Sequence, residues 1–212
     1  MKSLADMPAA LVYNRPTRLP GRRYMVQCGV TVLLREGKTG LETLMMRRAK
    51  KRGDPWSGDM CFPGGRLSKG DADPEATAHR ELEEEIGFSA SVHAKPLGRL
   101  SELMTRAHEA PKPMSVSPYV LELTSEPDME LNHEAVEVIW IPLSFLANPA
   151  NREKMNWKVG KANWSVPCYH YQGCRIWGLS LMILDELVEV VGGPRHGGLQ
   201  KYRAIRKLLP WN

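Results

Sequence analysis

Long apolar runs are missing from this sequence. No segment approaches the roughly 18 residues that would suggest a membrane span. The N-terminus also lacks the continuous apolar stretch of a secretory signal, and Asp6 with scant serine gives little support to a mitochondrial presequence. Cysteine is scarce. Cys28, Cys61, Cys168 and Cys174 form no Cys-x-x-Cys pair, so zinc and thioredoxin-like chemistry lack support. Reduced thiols and an intracellular, cytoplasmic setting are expected, with Cys28 and Cys61 packing as small hydrophobes. Internal repeats and low-complexity tracts are absent, which excludes solenoids and fibrous arrays.

What is present is an ordinary globular composition, 42% hydrophobic over 212 residues, which suits one domain with a real core. Charge is unevenly placed. Lys2, Arg15, Arg18, Arg22 and Arg23 face only Asp6 at the N-terminal end, and Arg195, Lys201, Arg203, Arg206 and Lys207 close the chain without an acid. These ends exceed the whole-chain charge of +5, so the middle is net acidic. An acidic body with basic ends differs from a uniformly basic nucleic-acid binder. The ends read either as solvated tails or as cations that help hold a phosphorylated ligand.

Residues 1–22, with Pro8, Pro16 and Pro20, read as an extended arm with one helical turn near Ala9–Val12. Residues 24–35 and 41–48 are β-rich and predict a hairpin. A basic loop leads into a short strand, Met60–Phe62, broken by Pro63-Gly64-Gly65. Residues 74–86 predict a helix: Asp73 suits the N-cap, Pro74 the first helical position and Gly87 the C′ position. Strands are expected near 92–104, 114–124 and 135–141, then a short helix at Ser144–Ala147. Residues 148–168 read as irregular. Tyr169–Tyr171 and Arg175-Ile176 read as a late strand or hairpin, 177–191 as an amphipathic helix with Leu179, Ile183, Leu187 and Val190 near one face, and about 199–209 as a short basic helix. The pattern predicts an α+β fold, an α/β/α sandwich with a mixed β-sheet and helices on both faces. The expected division is an arm (1–22), one domain (23–191) and a basic tail (192–212).

The helix at 74–86 carries the chemistry. At about 100° per residue, Glu81, Glu84 and Glu85 share one face, Ala78, Leu82 and Ile86 form the adjacent apolar face, and Glu83 points to solvent. Like charges one turn apart destabilise a helix, and the C-terminal half of the macrodipole disfavours them further. A hard divalent cation would neutralise them, since Mg²⁺ and Mn²⁺ prefer carboxylate and carbonyl oxygens. A solvated acidic face tempered by Arg80 is the plain alternative. The preceding Phe62-Pro63-Gly64-Gly65 weighs toward the cation, because glycine permits close approach of a phosphate or ion and exposes carbonyls.

These residues resemble the Nudix box. Gly65 is followed by five residues and Asp71, and the end reads Arg80-Glu81-Leu82-Glu83-Glu84-Glu85-Ile86-Gly87-Phe88. Asp71 stands where the usual form has Glu, and eight residues rather than seven separate it from Arg80. Both departures resemble the coenzyme A diphosphatase branch, as do Phe62-Pro63-Gly64-Gly65, Arg48-Ala49 with Gly58 upstream, and Arg175-Ile176-Trp177-Gly178 leading into a helix. The upstream signature carries one extra residue, with Arg52 displaced. The resemblance spans roughly 24–190.

It implies a sandwich around a mixed sheet. Glu81, Glu84 and Glu85 would ligate Mg²⁺ or Mn²⁺ with the Gly65 carbonyl, and Arg80 would hold Glu81. The implied reaction is hydrolysis of a diphosphate, coenzyme A or acyl-coenzyme A giving 3′,5′-ADP and (acyl-)phosphopantetheine. ADP-ribose, NADH or a dinucleoside polyphosphate are alternative substrates, and a noncatalytic nucleotide or RNA sensor is an alternative class. Glu134 and Glu137 are loop candidates for the general base, against a reading as ordinary exposed acids. Arg47, Arg48, Lys50, Lys51 and Arg52 could grip phosphates, Trp56 could stack on adenine and Gly64 could admit the ligand. The expected partner is a small-molecule diphosphate, with no membrane and no nucleic acid; a homodimer stays open.

Overall fold

A computed structural model describes residues 1–52, 56–106, 112–159 and 162–196 of the chain. The predicted basic helix at 199–209 lies outside these residues.

The first two strands, β1 (Val26–Gly37) and β2 (Gly40–Arg48), pair antiparallel as the expected hairpin. Around them form β3 (Met60–Cys61), β4 (Gly64–Arg66), β5 (Ala94–Arg99), β6 (Leu103–Arg106), β7 (Pro113–Leu123) and β8 (Ala135–Pro142). The strand path is β3-β2-β1-β7-β5, with β4 on β1, β6 on β7 and β8 on β2. The β1–β7 pairing is parallel, from Val26↔Met114 to Leu34↔Glu122, and its neighbours are antiparallel, so the sheet is mixed.

Strand alternation sends side chains to two cores. Leu33, Leu44, Met46 and Leu121 meet Leu82, Ile86 and Phe88 on one face. Val32, Leu34, Met45, Val120, Ile139 and Ile141 meet Leu11, Leu146, Leu184 and Leu187 on the other. One helix, α2 (Pro74–Ile86), covers the first face. Three helices cover the second: α1 (Met7–Tyr13), α4 (Leu143–Ala147) and α5 (Gly178–Val190). A four-residue helix, α3 (Ala90–His93), precedes β5 where strand was expected. The layers are those of the expected α/β/α sandwich.

Three readings of the sequence change. Residues 1–22 are no extended arm: they fold around α1, and Leu4, Met7, Ala10 and Leu11 are buried in the second core. The Lys2 amide donates to the Val191 carbonyl at 2.8 Å, and Arg22 pairs with buried Glu102 at 2.5 Å. Residues 148–168 are not irregular but contain β9 (Glu153–Val159) and β10 (Ala162–Tyr171), which with β11 (Cys174–Trp177) make a second, antiparallel sheet. Its polar and Trp residues lie on a largely solvated strand surface instead of forming a loop. Finally, α5 is buried nearly all round from Leu181 to Val188, including Asp185 and Glu186. Arg152 clamps Asp185 through two bonds of 2.7 and 2.9 Å. No disulfide joins the four cysteines, and among the described residues no helix is long and apolar enough to cross a membrane.

Candidate active site

Helix α2 starts and stops where its caps dictate. The Asp73 carboxylate accepts the Glu75 and Ala76 amides, each at 2.9 Å, Pro74 opens the helix, and Gly87 ends it at φ +70°. Ala78, Leu82 and Ile86 are fully buried and Glu83 is exposed, as the wheel requires. Burial of Leu82 and Ile86 contributes about 2 kcal/mol each. Against β1, the Thr31 hydroxyl donates to the Ala78 carbonyl at 3.1 Å. Gly29 allows this fit, since a side chain there would collide with the Pro74 backbone.

The docked helix then presses its acids into the Pro63-Gly64-Gly65 turn. Glu85 is 3% exposed and its Oε2 accepts the Gly64 amide at 2.8 Å. Burial pushes the Glu85 carboxyl up to about 8, with Glu81 and Glu134 adding to the rise and the Gly64 amide and Arg48 opposing it. Glu81 lies against Gly65 so closely that a methyl group there would overlap its carboxylate. Its carboxyl is also raised, by burial first, against the pull of Arg80 and with Glu84 and Glu134 assisting. At Gly64, a φ of +152° and the closeness of Gly29 and Val30 show that the neighbouring strand lies against its α-carbon, where a side chain would collide.

Arg80 organises the face. Its Nη2 meets Glu81 Oε1 at 2.9 Å and its Nη1 meets Glu84 Oε2 at 2.9 Å. Its Nε and Nη2 form a fork on Asp71 at 2.9 and 3.0 Å. Asp71 also accepts from Ser68 and Thr77, and the Arg80 bond above all holds its carboxyl well below the usual carboxylate range. This anchoring of Arg80 by Asp71 was not read from the sequence, although the position of Asp71 in the box marked it.

The three glutamates divide. Glu81 and Glu85 share the Gly64-Gly65 turn, whereas the Glu84 side chain, 56% exposed, leans outward on Arg80. Among the described residues no three acidic, His or Cys side chains converge into an ion cage. The donor chemistry nevertheless fits a hard divalent cation. Two carboxylates of raised pKa sit side by side in partial burial, beside a glycine backbone with no side chain to fill the space.

Glu134 reaches this field by way of the loop before β8. The Asn132 amide donates to the Glu85 carbonyl at 3.0 Å, and the Ala49 amide donates to the Glu134 carbonyl at 2.8 Å. That places Glu134 between the end of α2 and the end of β2. Glu137 is engaged elsewhere: it pairs with Arg47 at 2.7 Å and accepts from Cys174 at 3.6 Å. Arg48 lies on the Glu85 side of the strand end, close enough for its charge to act on that carboxyl. Arg52 and Trp56 are exposed on the following loop, Trp56 at 41%.

The NUDIX domain family matches residues 25–161. The peroxisomal coenzyme A diphosphatase NUDT7 of Mus musculus is 31% identical over 139 residues, covering 65% of this chain and 54% of that protein. The mitochondrial coenzyme A diphosphatase NUDT8 of Homo sapiens is 27% identical over 150 residues, covering 67% and 61%. The chain spans about a third to three-fifths of the length of several curated relatives that it matches. Among solved structures, a MutT/nudix family protein from Enterococcus faecalis superposes with a TM-score of 0.51 at 17% identity, covering 89% of this chain and 68% of that one.

Proposed function

Because the chain belongs to the Nudix family, we propose that it hydrolyses the diphosphate linkage of a nucleoside diphosphate derivative, coenzyme A or acyl-coenzyme A, giving 3′,5′-ADP and (acyl-)phosphopantetheine. The observation that carries the reading is buried Glu85 bonded to the Gly64 amide, with Glu81 packed against Gly65 beside it. Burial disfavours the ionised form of both carboxyls, and a cation beside them would relieve that cost.

Glu81 and Glu85, with the Gly65 carbonyl and Glu84 after rotation from Arg80, are the groups that would hold Mg²⁺ or Mn²⁺. A bound ion of this kind would supply charge neutralisation of the diphosphate and acidification of a water. The chain's own residues do the rest. The Asp71–Arg80 fork fixes Glu81, so the carboxylate need not reorganise during reaction. Glu134 takes the proton of the attacking water. The water oxygen joins one phosphorus, the bridging P–O bond breaks, and the departing phosphate carries the charge. Arg48 and the basic residues Lys50, Lys51 and Arg52 draw in the phosphates, and Trp56 offers a ring face to the base.

The substrate reading draws support from the coenzyme A diphosphatases NUDT7 and NUDT8 among the relatives and from the basic loop beside the site. The test is Mg²⁺- or Mn²⁺-dependent turnover of coenzyme A, acyl-coenzyme A, ADP-ribose, NADH and diadenosine polyphosphates, with Glu85→Gln as control. Preference for coenzyme A or its thioester supports the reading. Preference for another member of the panel moves the substrate within the family, and turnover unaffected by Glu85→Gln overturns the site.

A further inference from the structure

Asp59 stands just before β3 and is 5% exposed. Its carboxylate is satisfied by a remote part of the chain. Arg175 Nε donates to Oδ1 at 2.8 Å, Arg175 Nη2 reaches the same oxygen at 2.6 Å, and the Trp177 indole donates to Oδ2 at 2.6 Å. Trp177 in turn meets Trp157 of β9 edge to face, with centroids 5.6 Å apart, and the Arg175 guanidinium lies 5.6 Å from the Trp177 ring centre.

The backbone of Asp59 closes the base of the loop that begins at Ala49. Its carbonyl accepts the Arg48 amide at 3.1 Å, and its amide donates to the Trp56 carbonyl at 3.2 Å. Higher in the loop, the Ser57 hydroxyl accepts the Lys51 amide at 2.9 Å and donates to the Lys51 carbonyl at 2.8 Å. One buried side chain therefore joins the loop between β2 and β3 to the second sheet. Arg175 and Trp177 both lie beyond the residues 25–161 that match the family.

We propose that Asp59, Arg175 and Trp177 are positioning residues, a clasp by which β11 fixes the loop carrying Lys50, Lys51, Arg52 and Trp56 beside the catalytic turn. The proposal rests on the hydrolase reading above, and it extends the working site into the second sheet. A buried carboxylate stripped of its guanidinium is left with uncompensated charge, and the backbone bond of Asp59 to Trp56 carries its displacement into the loop. The clasp touches the loop and none of the helix glutamates, so its loss acts on substrate grip and spares the chemical step.

The test compares Asp59→Asn, Arg175→Gln and the milder Trp177→Phe with the full-length parent chain. Two readings are taken: native-state trypsin cleavage after Lys50, Lys51 or Arg52, and KM and kcat on whichever diphosphate of the panel the parent turns over. In variants that melt with the parent, loop cleavage is expected to accelerate at least about tenfold. KM should rise about tenfold while kcat stays within about threefold. Trp56→Ala should add little further KM in the Asp59→Asn background, because that change has already displaced Trp56, whose carbonyl accepts the Asp59 amide. Should Asp59→Asn or Arg175→Gln fail to fold, Trp177→Phe carries the comparison, with smaller shifts in the same directions. Cleavage at the parental rate, a fall in kcat at constant KM, or full additivity with Trp56→Ala overturns the clasp. A parent that turns over nothing in the panel overturns the hydrolase reading instead, and the cleavage rates still decide whether the clasp holds the loop.

Discussion

The Gly64 amide and the Glu85 carboxylate are 2.8 Å apart, and this bond ties the strand-edge turn to the last turn of α2. Everything proposed for the site is arranged about it: Glu81 on the neighbouring glycine, Asn132 on the Glu85 carbonyl and Glu134 beyond.

Glu85→Gln keeps a group that accepts the Gly64 amide but removes the buried charge. Turnover should fall at least about a thousandfold, with thermal stability unchanged or raised in the absence of divalent ions. Glu134→Gln should lower kcat about a hundredfold or more with little change in KM. Steady-state kinetics and calorimetric melting check both.

Two glycines separate fold from site. Gly29→Ala drives a methyl into the Pro74 backbone, which has nowhere to go, so a loss of about 3 kcal/mol or outright failure to fold is expected in urea titration. Gly65→Ala meets first the end of the flexible Glu81 side chain. That variant should fold within about 1 kcal/mol of the parent yet lose most of its activity.

Arg80→Lys retains the charge but cannot form the fork on Asp71. A fall in kcat of about ten- to a hundredfold is expected, with little change in KM. Asp71→Asn should act similarly, and the double variant should be little worse than either alone, because both break one unit. Additive losses in the double-mutant cycle would count against this coupling.

Glu186 provides a pH-dependent stability term away from the site. It accepts the Ser101 amide and hydroxyl and the Asn14 side chain, yet burial, the largest influence, raises its carboxyl above the ordinary value of 4.5. The folded state therefore holds this proton more tightly than the unfolded chain. The cost of ionising it is absent below the ordinary value and grows as pH rises through the folded value, so this group's contribution to stability falls as pH rises. Glu186→Gln should flatten that decline in melting temperature measured from pH 4 upward, and an unchanged slope would refute the assignment.

Helix α2 was readable residue by residue because local rules act there together: the Asp73 cap, Pro74, Gly87 and the wheel that separates Glu83 from Glu85. Parts that depend on distant partners were not. Residues 148–168 look polar and Pro-marked in isolation, and only the register of Trp157 with Trp164 reveals a hairpin. The first 22 residues show no long apolar stripe, yet Met7 and Leu11 dock where Gly98 leaves room for Leu11. The proximity of Glu134 and the bonds of Asp59 depend on tertiary closure, which no spacing along the chain records.

The parallel partnership of β1 with β7 has a consequence for biogenesis. Val26 finds its neighbour only at Met114, so a chain emerging from the ribosome extends some 90 residues past the start of β1 with that flank of the strand bare. Such a long closure is slow, and the uncovered Val32, Leu33 and Leu34 invite pairing between nascent chains in the interval. Shielding during synthesis is thus expected to raise the yield of native protein far more than it speeds the refolding of purified chains at high dilution.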